Sequence, residues 1–206
     1  MRPSKNELRR EIRARFRAEI ETSDEKSAAI CRWIASEPAW AAASTVAIFA
    51  PTTGEPLVEG LWEMAGGRTL CYPRIHGREL DFYSVSGPWT LGKSVYGLRE
   101  PSAEAVRIEP GGLDLVIVPG MAFTRGGVRL GRGGGFYDRF LGGAGAGGAV
   151  RLGVCFEWQL MEGIPEEPHD CGMDLVVTEA GVYSGGTSSK EGIRVNTGRP
   201  SSQTPK

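Results

Sequence analysis

The run LDLVIV at 113–118, followed almost at once by GMAFTRGGVRLGRGGGFYDRFL at 120–141, constrains the fold of this chain more than any other part of it. Apart from Asp114 the first segment is apolar, and it ends in three β-branched residues, with the length of a buried strand of the kind that belongs to parallel sheets covered by helices. The second passes through Gly131, Gly133, Gly134 and Gly135 into aromatic, charged and apolar residues suited to a helix. Strand, glycine loop and helix start therefore follow one another. Glycines remove side chains from a loop whose amides then face a ligand, and a helix start adds unpaired N–H groups and a positive dipole end.

That geometry binds anions, and the flanking residues suit one. Arg129, Arg132 and Arg139 bracket the glycines with permanent cations able to make forked hydrogen bonds to phosphate or carboxylate. Asp138 supplies a carboxylate that can hold a divalent metal beside the same anion. A plain tight connection would also use glycine, but it would not need three arginines, an aspartate and two aromatics around it. No Gly-Lys-Ser/Thr closes the loop and no dinucleotide fingerprint fits its spacing, so the P-loop and the dinucleotide motif are both excluded.

The remainder of the chain supplies the rest of an α/β domain. SKNE at 4–7 reads as a capping box, and Leu8, Ile12, Phe16 and Ile20 recur behind it at helical spacing. Seven cations against three anions in residues 2–19 leave arginines without local partners, which describes a solvated helical face. A second helix starts at Thr22 or Ser23 with Ile30, Trp33 and Ile34 inward, and the alanine-rich 40–43 connects it to a strand at 45–50. Pro56 suits the first turn of a helix carrying Leu57, Leu61, Trp62 and Met64. Strands are expected at 70–72, ending in Pro73-Arg74, at 80–83, at 150–156 and at 174–178. Glu55 lies beyond the 45–50 strand, where open α/β sheets place ligand contacts, although a helix-start carboxylate reads the same way. Trp158 suits the core edge or a flat ligand, His76 reads as exposed, and the glycine-rich 142–148 reads as a mobile loop.

A net charge of -1 and a pI near 6.2 give no field for nucleic acid, so any basic site is local. Four widely spaced cysteines without a CxxC pair point to reduced thiols rather than zinc or disulfides. No apolar run approaches the roughly 18 residues of a membrane span. The expectation is a cytoplasmic monomer acting on small molecules, with one domain over 1–184. A Gly-, Ser- and Pro-rich tail over 185–206 has little to bury and is expected to be disordered.

The segment PGMAFTRGGVRLGRGGGFYDRFL at 119–141 resembles the signature of the 5-formyltetrahydrofolate cyclo-ligase (methenyltetrahydrofolate synthetase) family: a Pro-Gly-aromatic turn, then RLG, then a glycine loop closed by aromatic-Tyr-Asp. Weaker matches are Lys5-x-x-x-Arg9, the Pro51-x-x-x-Glu55 stretch, YPR at 72–74, GLREP at 97–101 and the His169-Asp170 pair before Asp174. The resemblance implies a single three-layer αβα sandwich with a mainly parallel sheet, Rossmann-like. It implies ATP and Mg2+, with Lys5, Arg9, Arg129, Leu130, Gly131, Arg132, Gly133, Gly134, Gly135, Phe136, Tyr137 and Arg139 at the nucleotide. Ala50, Glu55, Arg132, Gly133, Gly134, Gly135 and Phe136 would meet the folate, Asp138 and Asp174 the metal, and Arg132 and Tyr137 the reacting group. Arg74 and Glu100 stand as second-rank candidates, each with a plain reading as surface cation or loop tether. His169 reads as structural.

Thr124 stands where the family usually has Asp, Pro56 replaces an aliphatic residue after Glu55, and Phe136 drops a hydroxyl while keeping a ring. The implied chemistry is phosphorylation of the N-formyl oxygen by ATP, attack by folate nitrogen 10 and loss of phosphate, with no covalent enzyme intermediate. Two rivals differ in class: a nucleotide- or folate-binding homologue without turnover, and a sugar-phosphate or coenzyme A enzyme on a similar scaffold.

Overall fold

The computed structural model describes residues 3–16, 23–94, 97–143 and 148–186. Ile20, Thr22, Tyr96, residues 144–147 of the glycine-rich loop and the tail from 187 lie outside the described residues. Helix α1 (Lys5–Phe16) opens as its capping box requires: the Ser4 N–H and Oγ both donate to Glu7 Oε2 at 2.7 Å. Then follow α2 (Ser23–Ser36), α3 (Pro38–Ala42) and β1 (Thr45–Ala47), a 3-10 turn at Val58–Trp62, and β2 (Thr69–His76) with β3 (Glu79–Ser84). Next come β4 (Gly92–Lys93), β5 (Arg99–Glu100), β6 (Val106–Ile108), β7 (Leu115–Pro119), and the hairpin β8 (Ala122–Phe123) with β9 (Arg129–Leu130). Helix α4 (Phe136–Gly142), β10 (Val150–Val154), β11 (Leu175–Thr178) and β12 (Gly181–Ser184) complete the fold.

The main sheet runs β12-β11-β10-β7-β1-β2-β3-β6. Strands β11, β10, β7, β1 and β2 are mutually parallel, while β12 joins one end and β3 and β6 the other in antiparallel pairing. Alternation sorts β7 between two cores: Leu115 and Ile117 pack with Ile30, Trp33 and Ile34 of α2, and Val116 and Val118 with Leu141 of α4. The expected three-layer α/β sandwich with a mainly parallel sheet is thus observed. Its parallel order, β2-β1-β7-β10-β11, is the doubly wound arrangement in which the order of strand addition reverses between β1 and β7, so a crevice opens beyond the ends of those two strands.

Several local expectations change in the folded chain. Residues 38–42 form a short helix rather than a connection, started by the preset φ of Pro38. Helix 56–64 is only a 3-10 turn; Leu57 donates its N–H to Ser27 Oγ at 2.9 Å and leaves its side chain 44% exposed. Pro73-Arg74 do not end a strand but lie inside β2, opposite Phe82 and Asp81 of β3, beyond the point where β1 accompanies β2 and a missing donor costs least. The 119–141 segment also contains a hairpin between strand and glycine loop. Thr124 builds its turn, accepting the Val128 N–H on Oγ1 at 3.1 Å, so the departure there belongs to turn chemistry. Helix α1 docks on this hairpin, with Leu8, Ile12 and Phe16 against Met121, Ala122 and Leu130. Gly185 and Gly186, expected in the tail, still bond to Asp174 O and Gly126 O.

Glu37, between α2 and α3, is fully buried and neither carboxylate oxygen has a hydrogen-bond partner among the described residues. Burial alone pushes it up to about 7 from an ordinary 4.5. The unfolded chain ionises first, so the stability that protonated Glu37 permits is whole below pH 4.5 and is lost as pH rises through 7. Urea unfolding at pH 5 and pH 8 tests this. The stability difference between Glu37→Gln and the unsubstituted protein should grow in favour of the variant with rising pH; a constant difference would refute a buried neutral acid.

Candidate functional site

Two chain segments leave the sheet at the switch point, and one ion pair ties them together. After β1, residues 48–55 turn back so that Glu55 is buried; after β7 and the hairpin, Arg132 arrives from the other side. Glu55 Oε1 accepts Arg132 Nε at 3.0 Å and lies 2.9 Å from Nη2, while Glu55 Oε2 accepts the Thr52 N–H and hydroxyl, both at 2.9 Å. The turn needs glycine at 54, where φ is +84° and a Cβ would stand 2.7 Å from the Phe16 ring.

The glycine loop is held from the opposite side by α1. Arg9 Nε donates to Gly131 O at 2.9 Å, and its guanidinium rests beside Gly133, which has φ +107°. Lys5, one turn earlier, donates to Glu167 Oε2 at 2.7 Å and to both Asp170 oxygens at 2.8 and 2.6 Å. Burial works against the Lys5 charge, but the hydrogen bonds to Asp170 and Glu167 outweigh it and hold its pKa above the ordinary value. Burial likewise opposes the Asp170 charge; the Lys5 ammonium and the Glu167 N–H prevail and hold its carboxyl low.

Two cavities meet at this loop. One, of about 250 Å³, is mostly apolar, with walls from Phe49, Ala50, Ile75, Leu80, Phe136 and Tyr137 and the carboxylates of Glu55 and Glu100. The other, of about 590 Å³, is polar and is lined by Lys5, Arg9, Gly133, Glu167, His169 and Asp170. Arg129, Gly131, Gly135 and Asp138 border both, so the glycine loop is a thin wall between them. Arg132 and Gly134 face the apolar cavity and Gly133 the polar one. Behind the wall, Arg129 Nη2 donates to Asp138 Oδ1 at 2.7 Å and the guanidinium covers the Tyr137 ring at 5.7 Å. The buried Arg129 Nε and Tyr137 hydroxyl have no hydrogen-bond partner among the described residues. Burial first, and the nearby Glu55 carboxylate second, drive the Tyr137 pKa upward and keep the hydroxyl a neutral donor.

Several expected site residues lie elsewhere. Arg139 lines neither cavity: its Nε and Nη2 donate to Arg78 O at 3.0 and 2.7 Å across the Phe136 ring, while its Nη1 lies beside Gly135 of the loop. Leu130 is fully buried against α1. Asp174 does not join Asp138: it is buried at the entry to β11, the end of the parallel strands opposite the crevice, and its Oδ2 accepts the Arg151 N–H at 2.8 Å. Arg74 packs over the Tyr83 ring, and Trp158 meets Phe16 and Arg15, so its core reading holds. His76 is exposed and hydrogen-bonds Tyr83 Oη, and His169 is exposed as well. The carboxylate that does share a cleft with Asp138 is Asp170, whose oxygen lies within 4.8 Å of ligand atoms of Glu167 and His169. The signal for Asp170 in the sequence was its place in the His169-Asp170 match; its contact with Lys5, 165 positions away, has no local signal.

Comparison with known proteins identifies what this arrangement is similar to. The model of the 5-formyltetrahydrofolate cyclo-ligase family matches residues 1–179. The 5-formyltetrahydrofolate cyclo-ligase of Mycolicibacterium smegmatis is 37% identical over 65% of this chain and 73% of its own length, and that of Escherichia coli 34% over 68% and 81%. The NMR structure of Aquifex aeolicus 5,10-methenyltetrahydrofolate synthetase superposes with a TM-score of 0.78 at 30% identity, covering 93% of this chain and 96% of that one. A Mycoplasma pneumoniae 5,10-methenyltetrahydrofolate synthetase shares the fold at 21% identity, with a TM-score of 0.70 over 86% of this chain and 99% of the other.

The Lys5–Asp170 contact predicts a pH signature. Because the Asp170 pKa is depressed, its stabilisation is present above the ordinary value of 3.8 and is lost as pH falls through the lower folded value. Asp170→Asn should therefore unfold at lower urea than the unsubstituted protein at pH 7, and the gap should close toward pH 3. A gap independent of pH would show that the contact is not ionic.

Proposed function

The chain belongs to the 5-formyltetrahydrofolate cyclo-ligase family, and on that premise we propose that it closes 5-formyltetrahydrofolate to 5,10-methenyltetrahydrofolate at the expense of ATP, with release of ADP and phosphate. The observation that carries the reading is the pair of cavities divided by one glycine loop, one apolar and ring-sized, the other polar and lined by three cations and three carboxylates. A cavity of about 250 Å³ falls just below the range of roughly 300–1,000 Å³ typical of drug-sized ligands, which suits one flat bicycle with its substituents outside. The larger cleft suits a triphosphate, with Lys5, Arg9 and Arg129 as cations and the amides of residues 131–135 as donors.

The chemistry follows from that division. A formamide oxygen is a poor leaving group, so it is first converted to a phosphate: the γ-phosphoryl bond of ATP breaks as the formyl oxygen–phosphorus bond forms, and ADP leaves. Nitrogen 10 then attacks the activated carbon, phosphate departs with the carbon–oxygen bond pair, and the N10 proton is lost to solvent. The protein's part is to align the two ligands across the loop and to balance charge. Arg132, fixed by Glu55 and Thr52, reaches the formyl side with a guanidinium that is still 46% exposed. Tyr137 supplies a neutral hydroxyl donor that the fold leaves unpaired. Ala50 and Phe136 furnish apolar contact with the pteridine.

Mg2+ is the divalent ion this chemistry calls for, and it neutralises phosphate charge when bound. The donor set suits it: Asp138 and Asp170 are oxygen ligands on the polar cleft, and their present partners, Arg129 and Lys5, are cations that phosphate can recruit in turn. Asp170 therefore replaces Asp174 in the metal assignment. We also infer a cytoplasmic monomer with a domain over 1–184; among the described residues no helix is long and apolar enough to cross a membrane.

Mixing the protein with 5-formyltetrahydrofolate and Mg2+, with and without ATP, and following the near-ultraviolet absorbance of the methenyl product tests the reading. Growth that requires ATP is expected; absence of growth with both ligands bound would leave a binding homologue. Arg132→Ala should lower kcat/KM by about 10²-fold or more, as loss of a charge-stabilising donor does. Asp170→Asn should raise the Mg2+ concentration needed for half-maximal rate, whereas Asp174→Asn should lower the unfolding midpoint and leave that requirement unchanged. The reverse pattern would restore Asp174 to the metal.

A further inference from the structure

We propose that Glu100 is the specificity-determining residue for the heterocycle, accepting hydrogen bonds from the 2-amino group and the adjacent ring N–H of the pteridine; this rests on the folate reading above. The argument is one of acceptor capacity. A carboxylate offers about four lone-pair sites. In the apolar cavity Glu55 already accepts three hydrogen bonds from the protein, one from Arg132 Nε and two from Thr52, with the Arg132 Nη2 charge a further 2.9 Å contact. Asp138 lies on the dividing wall with the Arg129 guanidinium at 2.7 Å. Glu100 is the third carboxylate of this cavity, only 9% exposed, and its single contact among the described residues is a long one, 3.3 Å from the Ile75 N–H to Oε1.

A carboxylate this little exposed, with one long hydrogen bond on Oε1, keeps acceptor capacity on the oxygen that still meets solvent, and a ligand entering the cavity can take it up. Its surroundings define that ligand. Ile75, Leu80, Leu98 and Pro73 make an apolar slot for a flat ring, and the carboxylate sits among them where paired N–H donors can meet it side by side. An aminopyrimidinone edge presents such a pair; an adenine or a sugar phosphate does not present it with the same lactam N–H. Backbone placement is firm: β5 pairs with β4, with Glu100 opposite Gly92, and the Ile75 bond ties β5 to β2. A tethering role alone would use one oxygen and leave the other indifferent to the ligand, and on that point the two roles separate.

The test measures equilibrium binding without nucleotide, by calorimetry, of 5-formyltetrahydrofolate and its 2-desamino analogue to the unsubstituted protein and to Glu100→Gln. Glutamine keeps an acceptor for the Ile75 N–H but loses the charge. We expect Glu100→Gln to weaken 5-formyltetrahydrofolate by about 10- to 100-fold, the range for a hydrogen bond to a charged group, and to leave ATP binding unchanged. The analogue should bind the unsubstituted protein weakly and the variant no worse. Should Glu100→Gln melt early, Glu100→Asp, which keeps the charge but withdraws it by one methylene, reads the same loss. Equal affinity of both proteins for the folate, or undiminished discrimination between the two ligands in the variant, overturns the role of Glu100 alone. No binding of 5-formyltetrahydrofolate to the unsubstituted protein removes the proposed function and this role with it.

Discussion

The glycine loop of residues 131–135 separates two cavities, and its position depends on one ion pair and one hydrogen bond acting from opposite sides. Arg132 clamps its apolar face to Glu55, and Arg9 holds its polar face through Gly131 O. Remove either and the loop becomes an ordinary glycine segment with many conformations, because glycine gives the backbone nothing else to resist with. The Glu55 carboxylate is nearly excluded from water while its partner guanidinium is half exposed, so the pair keeps a charge available to a ligand instead of neutralising it inside the core.

Much of the architecture serves that loop. The doubly wound strand order brings the ends of β1 and β7 side by side, which places Glu55 and the glycines at one crevice although they are far apart in sequence. The hairpin after β7 then provides an apolar shelf for α1, and α1 in turn delivers Lys5 and Arg9 to the polar cleft. An N-terminal helix with an excess of arginine thus becomes part of the site through its buried Leu8, Ile12 and Phe16. Arg10 and Arg13 on the same helix stay in solvent, as an unpaired basic face does.

The stretch at 119–141 was legible because its signal is local: glycines, arginines, aromatics and an aspartate lie within a few residues, and chemistry at that spacing has few alternatives. Asp174 was misplaced for the opposite reason. An aspartate just before a strand is equally compatible with a ligand and with a backbone acceptor, and only the register of β10 against β11 puts Arg151 N–H on its carboxylate. Arg139 shows the limit of helical spacing as well. It lies one turn beyond Gly135, yet the Arg78 carbonyl in the β2–β3 turn captures its guanidinium.

By itself the sequence determined the class of fold, the capping of α1, the anion-binding character of the loop and the family whose signature it carries. These depend on residue type and short-range pattern, which the chain states directly. The tertiary structure alone decided that the loop is a wall between two unlike cavities, that Asp170 rather than Asp174 shares a cleft with Asp138, and that Glu55 accepts three hydrogen bonds from the protein while Glu100 accepts one. Those are statements about which lone pairs and donors meet after residues up to 165 positions apart are brought together, and no local pattern encodes them.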